Sequence, residues 1–467
     1  MQPLDEVRKY SQTVCEQIRW KKAHGVITEE LENHIYDQRD VFMQEGIGEE
    51  EATHCAIKEM GDAVSVGSQL DSIHRPKPQW ILITLTLILI LMGGGISSLN
   101  SIQWNAQSNF HILPFVGAVA VFFTAYFVDF SILGKYPKQC YFLIMVIGSA
   151  GLLFSSQVNG KAWFVWGDIS LGLVYLSLLF PLTYSLFIYT MRNRGIIGII
   201  FCGAGYIPYA IILLLIPTVT GFILYTFSAL VLLCVAVTRG WFGGSRKRGL
   251  LLVIIPAVAA TALLSYWFVF NSYRISRISA FLHPYSDPKG YQIILIRDML
   301  SKAEFIGKGA AFEQMSTNTM FNPLYGTDLV LTALTSYYGW IVFFGVAIVF
   351  AAFSIIGFLY IAKQKSVLGV MVSLSILLTF VIQTLVYIIG NLGYGLLSVL
   401  SLPLVSYGKT ALLINSMLIG FMLSVFRTGS IFKDSCKSYN KQNSFILYED
   451  GRLIIQLRKR EELYISK

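Results

Sequence analysis

From residue 80 onward, apolar stretches of bilayer length alternate with short polar connections, whereas residues 1–79 place apolar positions at helical spacing among many charges. The long stretches predict about ten membrane-spanning helices, approximately 80–97, 112–133, 139–157, 169–190, 195–216, 218–238, 249–271, 327–361, 367–390 and 404–426. The eighth is too long for one crossing, so its first turns are assigned to a cavity outside the bilayer. In the first 79 residues Val7, Tyr10, Val14 and Ile18 mark one buried helical face. Gly25 and Gly46 read as stops after the first two helices, and Gly48-Glu49-Glu50-Glu51 reads as the start of a third. The expected architecture is all-α: a helical prefix domain over 1–79, a polytopic membrane domain over 80–426 with a large polar loop 273–327, and a tail over 427–467. In that tail, two short apolar runs flank Asp450-Gly451 and predict a β-hairpin.

An even number of spans leaves both termini on one side. Placing them in the cytoplasm puts Lys135, Lys138, Arg192, Arg194, Arg239, Arg246, Lys247, Arg248, Lys363, Lys365 and Arg427 in inner loops. Outside the long loop, the outer connections then hold only Lys161, as the positive-inside rule requires. The expected location is a membrane crossed many times, with both termini cytoplasmic.

Composition agrees, at 55% hydrophobic and 13% charged residues with mean hydropathy +0.60. The formal charge of +9 is explained by inner-loop cations, so no nucleic-acid partner is read from it. The six cysteines avoid the outer loops, and no disulfide is expected. The charged beginning of the chain carries no cleavable signal, so the first span is expected to direct insertion. His34, His54 and Cys55 lack the paired spacing of a zinc site, and no Walker-type glycine loop is found. No cofactor is expected from these residues, with a divalent metal the one alternative.

The loop 273–327 is unusual for an outer segment because it carries Arg274, Arg277, Lys289, Arg297, Lys302 and Lys308. That density of cations points to an anionic partner. Its order of residues is Tyr273-Arg274-x-x-Arg277, Phe281-Leu282-x-Pro284, Asp287-Pro288, Gly290-Tyr291-Gln292, Gly307-Lys308-Gly309 and Pro323-x-x-x-Thr327-Asp328, with Gly339 following. Further on come Asn391-Leu392-Gly393 and Leu402-Pro403-Leu404-Val405-Ser406-Tyr407-Gly408, and earlier Asn159-Gly160-Lys161-Ala162-Trp163. Together, in this order and spacing, these segments resemble the shape, elongation, division and sporulation family of bacterial membrane glycosyltransferases, over most of the chain after Trp80. Residues 1–79 resemble the short prefix domains of some bacterial permeases, which carry no activity of their own.

The resemblance implies polymerisation of an undecaprenyl-pyrophosphate-linked peptidoglycan precursor beside a single-span class B transpeptidase, with Asp328 as the acid required. Glycosyl transfer from such a donor needs a base for the incoming hydroxyl proton, and cations for the departing pyrophosphate. Arg274, Arg277 and Lys308 are the candidates for the pyrophosphate, the arginines because a planar fork takes two oxygens at once. Trp163, Ser406 and Lys409 complete the substrate-binding candidates. Each has a plainer reading. Asp328 suits a helix N-terminus, Arg274 and Arg277 suit lipid headgroups, Trp163 suits an interfacial anchor, and Ser406 suits a turn between two spans.

The chain departs from the family at several places. Gly326 stands where the family has His, and Ser336 and Tyr337 replace a Glu-Glu pair. Gly172-Leu173-Val174-Tyr175 replaces a Gln-Pro-Ser-Glu run, and Lys409 replaces a second glycine. Two alternatives therefore stand beside the enzyme: a flippase for the lipid precursor, and an inactive scaffold for the transpeptidase. Asp129 and Gln383 are the main polar groups inside the spans, few for a charged translocation path.

Overall fold

The computed structural model describes residues 3–103, 112–158, 161–166, 169–216, 218–269, 278–287, 290–307, 328–429, 446–449 and 452–455. Four helices open the chain: α1 (Pro3–Gln17), α2 (His24–Gln44), α3 (Glu49–Met60) and α4 (Ala63–His74). They enclose a small core of their own built on Val7, Val14, Ile18, Ile27, Ile35 and Ala56. Glu49, Glu50 and Glu51 fill the first turn of α3, where the helix dipole favours anions. Asp62 caps α4, its carboxylate accepting from the Ser65 amide at 2.9 Å. Gly46, at φ 92°, follows the end of α2 as its sequence suggests. Gly25 does not stop a helix. α1 ends at Gln17, a short 3-10 turn covers Lys21–Ala23, and Gly25 lies inside the first turn of α2. Glycine's cost there is propensity only, since neighbouring packing sets the boundary.

The membrane domain contains α5 (Trp80–Gln103), α6 (Leu113–Phe127), a short α7 (Ser131–Lys135), α8 (Pro137–Leu153), α9 (Phe180–Thr190), α10 (Gly195–Leu215), α11 (Val219–Thr238) and α12 (Arg246–Val269). These are followed by α13 (Tyr291–Ser301), α14 (Val330–Tyr338), α15 (Trp340–Ala362), α16 (Val367–Ile389) and α17 (Lys409–Thr428). Among the described residues, seven helical segments are long and apolar enough to cross a membrane, and α6 and α8 are shorter apolar helices. The protein is thus a multi-pass membrane protein.

α16 is the centre of the bundle. Every residue from Val367 to Phe380 is buried, and an all-round apolar helix is stable only when enclosed. α10 and α15 lie at the periphery and expose Ile197, Ile200, Phe201, Phe344, Ile348 and Ile355, an apolar surface suited to lipid. α17 packs closely on α6: a side chain at Gly420 would strike the Phe122 carbonyl, and Ser424 Oγ donates to the Val128 carbonyl at 2.6 Å. Small residues at such crossings let backbones approach. Among the described residues, no fully buried side chain is charged.

Two stretches differ from the span pattern. Residues 155–172 leave the helical pattern and form an antiparallel meander of β1 (Ser155–Val158), β2 (Lys161–Trp166) and β3 (Ile169–Gly172), with Trp163 paired to Gly172. Trp163-Phe164-Val165-Trp166 is rich in strand-forming residues, and Asn159-Gly160 is a hairpin dipeptide, so local chemistry outweighs the apolar length. The stretch 327–361 divides at Gly339, φ 95°, into α14 and α15. Residues 304–307 close over this break: Trp340 N donates to the Glu304 carbonyl and Ile341 N to the Phe305 carbonyl, both at 3.1 Å. The tail holds β4 (Ile446–Glu449) and β5 (Arg452–Ile455), paired antiparallel with Glu449 opposite Arg452.

Candidate active site

At one end of the bundle the chain leaves α16 through the turn Gly390–Tyr394, whose Gly393 has φ 79°. α14 starts beside this turn, and Asp328 lies two residues before its first residue. A helix begins with backbone amides that have no partner inside it. Here α16 and the turn supply acceptors. The Tyr387 hydroxyl accepts from Val330 N at 3.1 Å, and Asn391 Oδ1 accepts from Thr332 N at 3.1 Å. Thr332 Oγ1 donates to the Asn391 carbonyl at 2.9 Å and to Oδ1 at 3.0 Å. Asn391 Nδ2 donates to the Asp328 carbonyl at 3.0 Å and to the Tyr387 carbonyl at 3.1 Å. Asn391, Thr332 and Tyr387 are all buried, so these bonds form in a low-dielectric setting where each is expensive to lose.

The arrangement bears on the plain reading of Asp328 as a helix cap. The amides of Val330 and Thr332 already have acceptors, so neither needs the aspartate carboxylate. Asp328 itself is half-buried, close enough to the Tyr175 and Tyr387 phenols for its charge to act on both. It stands where the partial positive charge of a helix N-terminus supports an anion.

The loop 401–408 closes the other side. Gln383 Nε2 donates to the Ser401 carbonyl at 2.7 Å. Ser406 is 1% exposed. Its hydroxyl accepts from Leu402 N at 2.9 Å and donates to Tyr387 at 3.4 Å. Leu404 sits at φ 64°, and the Leu404 and Val405 carbonyls press on Gly93 of α5, where any larger side chain would clash. Lys409 follows as the exposed first residue of α17. Gly408 approaches the Tyr175 hydroxyl, and the Tyr175 ring lies over Gly172, which faces the Trp163 ring. Tyr175 thereby links the β1–β3 sheet to the loop before Lys409.

The fold brings Asp328 and Ser406 to the same tyrosine, Tyr387. Trp163 and Tyr175 meet over Gly172, and Gly408, the residue before Lys409, approaches the Tyr175 hydroxyl. Arg274, Arg277 and Lys308 lie outside the described residues. Tyr387, Thr332, Tyr175 and Arg297 were not singled out from the sequence as site residues. A signal existed for Tyr387: Gln383, Tyr387 and Asn391 recur every fourth residue at the end of an otherwise apolar helix, one polar stripe on one face. Ser336, standing where an acid is expected, is buried and donates to the Met299 carbonyl of α13 at 3.4 Å. Tyr337 packs edge-on against Tyr338.

The profile of the cell-cycle protein family FTSW_RODA_SPOVE matches residues 77–430. A probable peptidoglycan glycosyltransferase FtsW of Trichlorobacter lovleyi is 28% identical over 236 residues, 48% of this chain and 58% of that protein. The chain therefore spans a little over half the length of that relative. Among solved structures, a chain of a peptidoglycan synthase complex that coordinates polymerization and crosslinking is similar with TM-score 0.59 and 19% identity, over 75% of this chain and 98% of that one. The rod shape determining protein RodA of Thermus thermophilus is similar with TM-score 0.52 and 16% identity, over 76% of this chain and 98% of that one. At these identities the structural likeness is one of fold.

Proposed function

This chain belongs to the FTSW_RODA_SPOVE family of cell-cycle proteins, and from that premise we propose that it is a peptidoglycan glycosyltransferase polymerising a lipid-linked disaccharide-peptide. In the reaction a hydroxyl oxygen of one sugar bonds to the anomeric carbon of another. The bond from that carbon to the pyrophosphate oxygen breaks, and its electron pair leaves with the polyprenyl pyrophosphate. Asp328 takes the hydroxyl proton. Arg274, Arg277 and Lys308 carry the pyrophosphate charge, the arginines through a planar fork that takes two oxygens at once, and Lys409 adds a cation at the start of α17. Trp163 offers a ring beside the sheet for sugar or lipid, and Ser406 acts by ordering the loop 401–408.

The observation that carries this reading is the clamp on Asp328. Tyr387 and Asn391 accept from the Val330 and Thr332 amides at the start of α14, and Asn391 also holds the Asp328 carbonyl, so the aspartate backbone is fixed beside the helix. Catalysis by a fixed base depends on such positioning. The site faces outward across a bacterial plasma membrane, both termini lie in the cytoplasm, and a single-span class B transpeptidase is the partner, as the family resemblance implies.

A second reading, an inactive scaffold for that transpeptidase, draws on Ser336, whose buried hydroxyl packs on α13 where an acid is expected. A flippase is disfavoured because no fully buried charge is found among the described residues. Purified full-length protein with lipid-linked precursor, with and without transpeptidase, separates them. The enzyme forms polymer that Asp328→Asn lowers by a factor on the order of 100 or more while the variant remains folded. Polymer formed equally by Asp328→Asn refutes the assignment of the base, and no polymer from wild type under any condition favours the scaffold.

A further inference from the structure

We infer that Arg297 anchors an oxyanion site that takes the diphosphate of the lipid-linked substrate, an inference that rests on the glycosyltransferase reading above. Arg297 comes from α13, outside the arginine motif singled out in the same loop. α13 is fixed in place: Ile296 and Leu300 bury against Leu329, with Trp340 and Leu392 packed around them. The same helix therefore touches the residue after Asp328 and the turn that holds Asp328.

The guanidinium is held on two sides. Its Nε donates to the Gly393 carbonyl at 3.1 Å, and its carbon lies 5.1 Å from the centre of the Tyr394 ring. The turn is shaped around it. Gly393 has φ 79°, and a Cβ there would come within 2.8 Å of Arg297 Cγ, so both the conformation and the room for the arginine stem require glycine. Among the described residues, Nε is the one guanidinium nitrogen with a hydrogen-bond acceptor, leaving the terminal fork unpartnered. The adjacent acid does not neutralise it, because Asp298 pairs with Lys302 at 2.8 Å.

An arginine immobilised through Nε presents its two terminal nitrogens in the plane that matches two oxygens of one phosphate. A simple structural contact to Gly393 needs a single donor and no such fork. Arg297 and Asp328 then flank one five-residue turn: Gly393 holds the cation and Asn391 the backbone of the acid. That places a site for the leaving group beside the base.

The test uses full-length protein in neutral detergent and measures binding of undecaprenyl pyrophosphate against undecaprenol, with thermal unfolding of each variant alongside. Arg297→Gln should weaken pyrophosphate binding about tenfold or more and leave undecaprenol binding unchanged. Arg297→Lys keeps a donor for Gly393 but loses the fork, so it should retain wild-type unfolding and still bind pyrophosphate several-fold more weakly. Pyrophosphate binding at wild-type strength in either folded variant would overturn the inference. So would displacement of undecaprenyl pyrophosphate by equimolar phosphatidylglycerol, which would make Arg297 a headgroup contact. Asp328→Asn separates this inference from the catalytic one: it should keep pyrophosphate binding whether or not polymerisation is lost.

Discussion

The two ends of the membrane bundle treat their charges in different ways. At the end carrying residues 135–138, 192–194, 239–248 and 427, cations rest on aromatic faces: Arg192 lies 3.9 Å from the Tyr189 ring centre, Arg427 4.6 Å from Tyr126, Lys135 5.4 Å from Tyr136 and Arg239 5.6 Å from Trp241. Arg192, Lys135 and Arg239 each meet a ring within three residues in sequence, Arg427 meets both Tyr126 and Phe127 across the bundle, and all suit side chains lying along a lipid interface. At the other end a single acid is surrounded by buried hydrogen-bonding groups from three parts of the chain, α14, α16 and the turn after it. Interfacial anchoring asks only for a cation near a ring. Chemistry asks that one carboxylate be held in one place, and that needs the buried network.

Variants at the two ends should therefore behave differently. After the loss expected from Asp328→Asn, the largest effect belongs to Asn391→Ala, which removes acceptor and donor from Thr332 and the Asp328 carbonyl together. Polymerisation should fall by a factor of about 10–100, mostly in turnover, with KM for the precursor near wild type. A fall confined to KM would mean that Asn391 serves substrate binding and not the position of the acid. Gly339→Ala comes next. It forces a side chain into φ 95° and against the Phe305 carbonyl, and should destabilise the folded protein by roughly 1–3 kcal/mol in thermal unfolding. Tyr387→Phe strips the acceptor from one buried amide, Val330 N, at a cost of about 1–3 kcal/mol in stability and a smaller loss of turnover. Arg192→Gln, at the opposite end, should cost less than about 1 kcal/mol and leave polymerisation within roughly twofold.

Much of this organisation is visible in the sequence, for identifiable reasons. Bilayer-length apolar runs announce α5, α10, α11, α15 and α16, because length and composition alone define a crossing. That Asp328, Asn391 and Ser406 gather around Tyr387 at one end of the bundle agrees with the order of the motifs. The sheet at 155–172 is hidden because Trp163-Phe164-Val165-Trp166 is as apolar as a span, and only its strand preference tells it apart. The length of 327–361 announces that it divides, but the position of the break at Gly339 is masked by continuous apolar composition, since its cause is tertiary: residues 304–307 pass against it. The clamp is half legible. Gln383, Tyr387 and Asn391 form a visible polar stripe, but its target on α14 lies more than fifty residues away in sequence. Arg297 carries no sequence signal beyond its charge, because its role depends on a glycine carbonyl nearly a hundred residues on.

The most direct test of the difference between the ends is the rate of polymer formation by Asp328→Asn and Arg192→Gln, measured together with wild type on purified lipid-linked precursor in the presence of the transpeptidase. The account predicts near-complete loss in the first and a near-wild-type rate in the second, with both proteins folded by thermal unfolding. Equal rates in the two variants would contradict it.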